Sequence, residues 1–309
     1  MDKVLQKLRD AISSVYMGND RAVDRLLTCL LARGHALVED VPGVGKTVLA
    51  NALARSIDAR FARIQCTPDL LPTDITGTAV LDRRDGDFSF RPGPVFANIV
   101  LADEVNRTTP RTQSALLEAM SEGQVSAEGE THRLPDPFLV VATQNPYEFE
   151  GTYPLPENQL DRFLMRIGLG YPSPDDEARI LDVQPARTTL QSLQPVATAD
   201  EIVELQRVTD RVTIDPALAD YVISLAQATR EDDDLVVGMS PRGSLALAQA
   251  ARATAILAGR DHCIPEDIVE NVVPVCAHRV VTKLSMHEGD TVTSRRIMQR
   301  ILETVTSPV

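Results

Sequence analysis

No apolar run in this chain approaches the roughly 18 residues that a membrane-spanning helix needs. The longest candidates, such as Leu26–Ala32, are short and bounded by Arg25 and Arg33. The first residues, Met1–Asp10, are charged and lack the apolar stretch of a signal peptide, so a soluble, cytoplasmic protein is expected. Basic residues are in deficit: 31 Lys and Arg stand against 44 Asp and Glu, a formal charge of -13. Clustered cations are what a duplex-binding surface needs, so this balance weakens that class and leaves room only for a local basic groove. The four cysteines, Cys29, Cys66, Cys263 and Cys276, form no CxxC pair. His262, Cys263, Cys276 and His278 are therefore read as buried thiols and surface histidines, not as a metal site. There is no tandem repeat.

The chain is long enough for about two domains of ~100–200 residues. With 43% hydrophobic residues it can bury a real core. Its first part alternates short apolar runs with helical patterns, which predicts an α/β domain with a mainly parallel sheet. Strands are expected at Ala36–Glu39, Phe61–Gln65, Ile99–Ala102, Phe138–Thr143 and Met165–Leu169, each apolar enough to be covered on both faces. Thr47–Arg55 and Thr112–Met120 have helical spacing, the second opened by Thr109-Pro110 and closed near Gly123. Two hairpins interrupt the alternation, Thr78–Arg91 around Asp85–Gly86 and Gln124–Leu134 around Glu128–Gly129. Beyond about Tyr171 the strand pattern disappears. Thr198 with Glu201, Asp215-Pro216 and Ser240-Pro241 are helix starts, Leu245–Ala258 ends at Gly259, and Pro265–Val273 opens another helix. The expected division is an α/β core over residues 1–190 and a small all-α domain over 191–309.

The strongest chemical signal is Asp40-Val41-Pro42-Gly43-Val44-Gly45-Lys46-Thr47, between a strand and a helix. It matches the phosphate-binding P-loop except that Asp40 holds the first glycine position. Gly43 and Gly45 let the backbone curl so that N–H groups and the helix start face phosphate oxygens. Lys46 supplies a charge for β- and γ-phosphates, and the Thr47 hydroxyl suits Mg²⁺. The strand Asn98–Ala102 then ends in Asp103-Glu104, placing two carboxylates at a sheet edge where α/β domains hold ligands. Asp103 can hold Mg²⁺, directly or through its waters, and Glu104 can polarise an attacking water. Phe138–Thr143 runs into Gln144-Asn145-Pro146, which offers a neutral amide near a γ-phosphate. Arg162 and Arg242 are candidate cations for the charge that develops during phosphoryl transfer. These residues together point to ATP hydrolysis with Mg²⁺.

The ordered motifs resemble those of AAA+ ATPases, and in wording the MoxR branch. The stretches that carry the likeness are Glu39–Thr47, Cys66–Gly77, Leu101–Arg107, Thr112–Glu122 and Ala142–Phe163, and it runs from about Val15 to His278. The resemblance implies that Asp40 to Val48 form Walker A, that Asp103 and Glu104 belong to Walker B, and that Asn145 is sensor 1. By the same likeness Arg162 matches the arginine finger that acts on a neighbouring subunit's ATP, and Arg242 matches sensor 2 in a helical lid. Met17-Gly18-Asn19 resembles the adenine-contacting segment, with Asn19 where the family more often has Gln. The hairpins match inserts that face the central pore in related rings. The family implies a ring, usually a hexamer, and chaperone-like work with proteins carrying von Willebrand factor A domains. Two other motors stand as alternatives. A nucleic-acid motor would use Arg83 and Arg84, which Asp82, Asp85 and Asp87 crowd, and a metal-chelatase motor subunit would also act on a protein partner.

Overall fold

In the computed structural model the described residues are 2–41, 43–81, 88–127, 129–145, 151–183, 189–283 and 291–308. Five parallel strands form the central sheet: β1 (Ala36–Glu39), β2 (Phe61–Gln65), β3 (Ile99–Asp103), β4 (Leu139–Gln144) and β5 (Met165–Ile167). Their order is β2-β3-β4-β1-β5, so the first strand lies inside the sheet and its neighbours come from the far end of the domain.

The side-chain alternation of the strands sorts residues into two layers. Ala36, Val38, Ile99, Leu101, Leu139, Val141, Met165 and Ile167 face one apolar cluster. Leu37, Val100, Ala102, Val140 and Ala142 face the other. The first layer is covered by the helices Asp2–Ser13, Asp20–Leu31 and Lys46–Ser56, and its cluster continues into the C-terminal helices through Leu247, Ile268 and Met298. The second is covered by the helix Pro110–Glu122, through Leu116, Leu117 and Met120, together with Phe163. That helix starts as expected: Thr109 accepts the Thr112 N–H, Pro110 fills the first turn, and Gly123 ends it at φ 62°. Such a cap contributes on the order of 1 kcal/mol.

The C-terminal part consists of the helices Ala199–Thr209, Pro216–Glu231, Pro241–Leu257, Pro265–Cys276 and Thr291–Thr304. The first three begin at the expected caps, Thr198 with Glu201, Asp215 and Ser240. It is helical but not purely so, because Leu235–Val237 pairs antiparallel with Val281–Thr282. Strands of three and two residues are too short to display a period of two, which is why the sequence pattern is silent there. The cysteines are buried as expected, and His262 is exposed. His278, expected at the surface, is instead buried, with Nε2 3.0 Å from the Phe163 carbonyl.

Both hairpins form, Gly77–Leu81 with Phe88–Pro92 and Gln124–Ala127 with Glu130–Arg133. The tip Asp85–Gly86, Arg83, Arg84 and Glu128 lie outside the described residues. The two hairpins touch: the Phe90 ring stacks on His132 at 3.9 Å and meets Phe96 edge-on at 5.6 Å. Val80, Leu81 and Phe88 stay exposed on the first.

Arg279 ties the C-terminal helices to the core. Its side chain is 3% exposed and its Nε donates to Asp161 Oδ1 at 2.8 Å. Its other nitrogens donate to the carbonyls of Phe163, Leu164 and Val275. Arg242, on the helix Pro241–Leu257, reaches the same Asp161 at 3.6 Å but is 58% exposed. Burial separates the two contributions. Arg279→Met should lower unfolding stability by about 3 kcal/mol, because a part-buried carboxylate and several carbonyls lose their donor. Arg242→Ala should cost under about 1 kcal/mol. Urea titrations of both variants measure the contrast.

Candidate active site

The loop between β1 and the helix Lys46–Ser56 lies where the strand order reverses. β1 is flanked by β4 and β5, and the crevice beyond the carboxyl ends of such strands is where α/β sheets hold ligands. Gly43 and Gly45 have φ of 88° and 93°, a left-handed backbone that residues with a Cβ adopt at a cost. Gly45 is the N-cap of the helix Lys46–Ser56, so unpaired N–H groups open toward the loop. Val44 and Val48 pack on the core below. Val41 is half-buried, and Pro42 lies outside the described residues.

Asp40 explains the departure from the P-loop pattern. Its φ is not positive, so glycine is not required there. Its carboxylate instead accepts the Val41 N–H at 2.8 Å on Oδ1, and the Leu169 and Gly170 N–H groups at 2.8 and 2.6 Å on Oδ2. The loop is thereby fastened to the chain leaving β5. Lys46 Nζ donates to the Asp40 carbonyl at 2.5 Å. Burial pulls the Lys46 pKa down, while the charges of Asp40, Asp103, Glu104 and Glu39 oppose that pull.

Asp103 and Glu104 stand at the end of β3. Thr143 of β4 donates its hydroxyl to Asp103 Oδ1 at 2.6 Å, and the Glu104 N–H donates to the same hydroxyl oxygen at 2.9 Å. Glu104 has φ 58°, a left-handed backbone that costs a non-glycine residue about 1–2 kcal/mol. Arg63 of β2 donates to Asp103 Oδ2 at 2.5 Å, and Glu104 Oε2 accepts from Gln65 at 3.3 Å and Arg107 at 3.2 Å. Three of these partners, Arg63, Gln65 and Thr143, lie on the sheet face that carries the P-loop helix, because Ile64 and Ala142 occupy the opposite face.

The residues suit Mg²⁺, a hard cation held by oxygen. Among the described residues the Thr47 hydroxyl makes no hydrogen bond and the outer Asp103 oxygen is held only by Arg63, a side chain 48% exposed. Asn145 directly follows β4, whose last residue, Gln144, donates to Glu39 Oε1 at 3.1 Å. Glu39 also pairs with Arg166 of β5, and both side chains are buried.

Arg162 and Arg242 make their contacts away from this cluster. Arg162 is held on the helix Pro110–Glu122, donating to the Leu117 carbonyl at 2.7 Å and to Ser121. Arg242 is at Asp161. The Asn19 side chain caps the helix Asp20–Leu31 by accepting the Arg21 N–H at 3.0 Å. A Cβ on Gly18 would stand 2.7 Å from the Tyr16 ring, and one on Gly45 3.2 Å from the same ring. Tyr16 thus packs between the 17–19 segment and the P-loop. Its burial first, and Asp40 second, raise its pKa to about 12, so the phenol stays neutral. Tyr16, Arg63, Gln65, Thr143 and Arg107 were not among the sequence candidates. For Arg63 and Gln65 a signal existed: two polar residues, two apart, on a strand beside the acidic one.

A P-loop at the switch point, with two acids at the end of a strand two places away in the same sheet, defines a nucleotide-hydrolysing α/β core. Comparison with known proteins narrows the class. Residues 35–165 match the ATPase family associated with various cellular activities (AAA), and residues 227–301 match the AAA lid domain. The chain is 46% identical to the uncharacterized protein YeaC of Bacillus subtilis, over 99% of this chain and 95% of that one. It is 43% identical to Chaperone MoxR1 of Mycobacterium tuberculosis, over 96% of this chain and 80% of that one. A crystal structure of a candidate ATPase from Cytophaga hutchinsonii superposes with a TM-score of 0.91 at 38% identity, covering 100% of this chain and 96% of the other. The chain belongs to the MoxR family of AAA ATPases. No helix among the described residues is long and apolar enough to cross a membrane.

The geometry at Asp40 yields a test. Asp40→Gly restores the P-loop pattern yet should destabilise the protein by about 1.5–3 kcal/mol, the range for hydrogen bonds to a charged group. It should also weaken ATP binding, since the loop loses its tie to residues 169–170. Thermal unfolding and fluorescent-nucleotide titration check both effects. Unchanged stability would mean that the carboxylate does not hold the loop.

Proposed function

We propose that this ATPase requires Mg²⁺, assembles as a ring, usually a hexamer, and remodels or activates a protein partner in the cytoplasm. The observation that supports this reading is that Lys46, at the start of the helix after β1, lies in the field of Asp103 and Glu104 at the end of β3. Lys46 and the backbone from Asp40 to Val48 hold the phosphates, Thr47 and Asp103 hold Mg²⁺, Glu104 takes the proton of the attacking water, and Asn145 orients that water. Mg²⁺, when bound, offsets charge on the β- and γ-phosphate oxygens. Gly18 and Asn19 flank the adenine through the backbone, since the Asn19 side chain caps a helix. The division into a core over 1–190 and a lid over 191–309 follows the family's usual arrangement.

Ring assembly is supported by Arg162. Its described partners lie on the helix Pro110–Glu122 rather than at its own P-loop, which suits a cation that serves a neighbour's ATP. Glu104→Gln should keep ATP binding and lose about 10²–10⁴-fold in turnover. Arg162→Ala should bind ATP and lose about 10³-fold. Mixed rings should regain part of the rate, because some interfaces pair an intact Glu104 with an intact Arg162. A local role for Arg162 predicts no recovery at any mixing ratio.

A protein client is supported by the 43% identity to Chaperone MoxR1 and by the exposed apolar residues Val80, Leu81 and Phe88 on the first hairpin. A phosphate backbone would instead require several cations. The partner chemistry we favour is a protein with a von Willebrand factor A domain, as the MoxR likeness implies. ATPase activity should respond to such a protein and be unmoved by single- or double-stranded DNA at low salt. Stimulation by DNA that disappears when Arg83 and Arg84 are neutralised would favour a nucleic-acid motor instead.

A further inference from the structure

Thr143 makes two contacts that no sequence motif assigns. It is 1% exposed, and its single hydroxyl touches both acids of the site. The hydroxyl has one proton, which goes to Asp103 Oδ1 at 2.6 Å, a length typical of a bond to an ionised carboxylate. Its oxygen is then free to accept, and it takes the Glu104 N–H at 2.9 Å. The first contact fixes which oxygen of Asp103 points out of the sheet. The second holds Glu104 in its left-handed backbone at φ 58°. A β-branched side chain has few χ1 choices, so the hydroxyl has little freedom to leave this position.

We propose that Thr143 is the positioning residue of the hydrolytic site, setting the outer oxygen of Asp103 for the cation and the Glu104 carboxylate for the water. It acts through the two acids its hydroxyl touches. The proposal rests on the assignment of Asp103 to Mg²⁺ and Glu104 to the water. Donors behind a metal ligand typically control 10–100-fold in metal affinity or rate.

The test uses the full chain with Mn²⁺ as the probe ion, its free concentration read by electron paramagnetic resonance in the presence of ATP. Thr143→Val removes the hydroxyl at nearly constant volume. It should bind a fluorescent ATP analogue in EDTA as the native protein does, weaken Mn²⁺ about tenfold or more, and lower kcat with little change in KM. Thr143→Ser returns the hydroxyl without the methyl and should stay within about threefold of native in both measures. Native Mn²⁺ affinity and kcat in Thr143→Val would overturn the proposal. So would a Thr143→Ser variant as impaired as Thr143→Val, because the methyl packing would then be responsible. If Thr143→Val does not fold, Thr143→Ala takes its place under the same criteria. Asp103→Ala separates the two levels. Lost Mn²⁺ affinity there, with native affinity in Thr143→Val, rejects Thr143 alone, whereas native affinity in Asp103→Ala rejects both assignments.

Discussion

A carboxylate buried at the end of a central strand is costly unless donors and cations meet it, and Glu39 is met from both sides. Arg166 of β5 pairs with one oxygen and Gln144 of β4 donates to the other. The three strands are neighbours, and their register sets Leu37 beside Arg166 and Glu39 beside Gln144. A slip of one residue would turn Arg166 to the opposite face and leave Glu39 unpaired. By itself such a pair adds little net stability, but losing one partner costs about 3–5 kcal/mol. It therefore acts against wrong registers more than it strengthens the right one. Asp40 follows Glu39, Asn145 follows Gln144, and Arg162 lies four residues before Arg166. Three positions with expected roles inherit their placement from one buried contact.

The sheet's two faces carry different tasks. One face is packed against the helix Pro110–Glu122 and is apolar through Leu37, Val100, Ala102, Val140 and Ala142, apart from the buried Glu39, Arg166 and Gln144. The other turns polar at the carboxyl ends of β2, β3 and β4, with Arg63, Gln65, Asp103 and Thr143 side by side. Lys46 lies in the field of Asp103 and Glu104 there, and the arginines that pair with those two acids, Arg63 and Arg107, are exposed side chains rather than buried ones. Exposed pairs contribute little to stability and exchange readily. A site built this way can give up its arginines to an incoming cation and phosphate at small cost, whereas a buried counter-ion would resist.

Much of the core was legible because its signals are local. Strands with apolar faces, helix caps such as Thr109-Pro110 and Thr198 with Glu201, and the glycines around Lys46 each declare themselves within a few residues. Thr143 could not be read in this way. A threonine in an apolar strand is ordinary, and only the pairing of β3 with β4 brings it to Asp103, forty positions away in the chain. Arg63, Tyr16 and Arg279 share that difficulty, since their partners come from other elements. Asp40 was visible as an irregularity, but its cause, the N–H groups of Leu169 and Gly170, lies more than a hundred residues further on. The short ribbon in the C-terminal part failed for a different reason: its strands end before a period can repeat.

At the junction between core and lid, Asp161 holds two arginines that divide the work unequally. Arg279 is buried and spends its donors on a carboxylate and on backbone carbonyls of both parts, so it cannot leave without exposing unpaired groups. Arg242 lies farther from the same carboxylate, and more than half of its side chain faces water, so its departure costs little. The Arg279 contact therefore adds to the shared apolar cluster in holding the lid, while the Arg242 contact can be surrendered to a stronger anion. Asp161 is also the residue before Arg162, itself held by the carbonyl of Leu117. A change at Arg242 is thus one side chain and one peptide bond away from Arg162. That is a short physical path between the lid and the helix Pro110–Glu122.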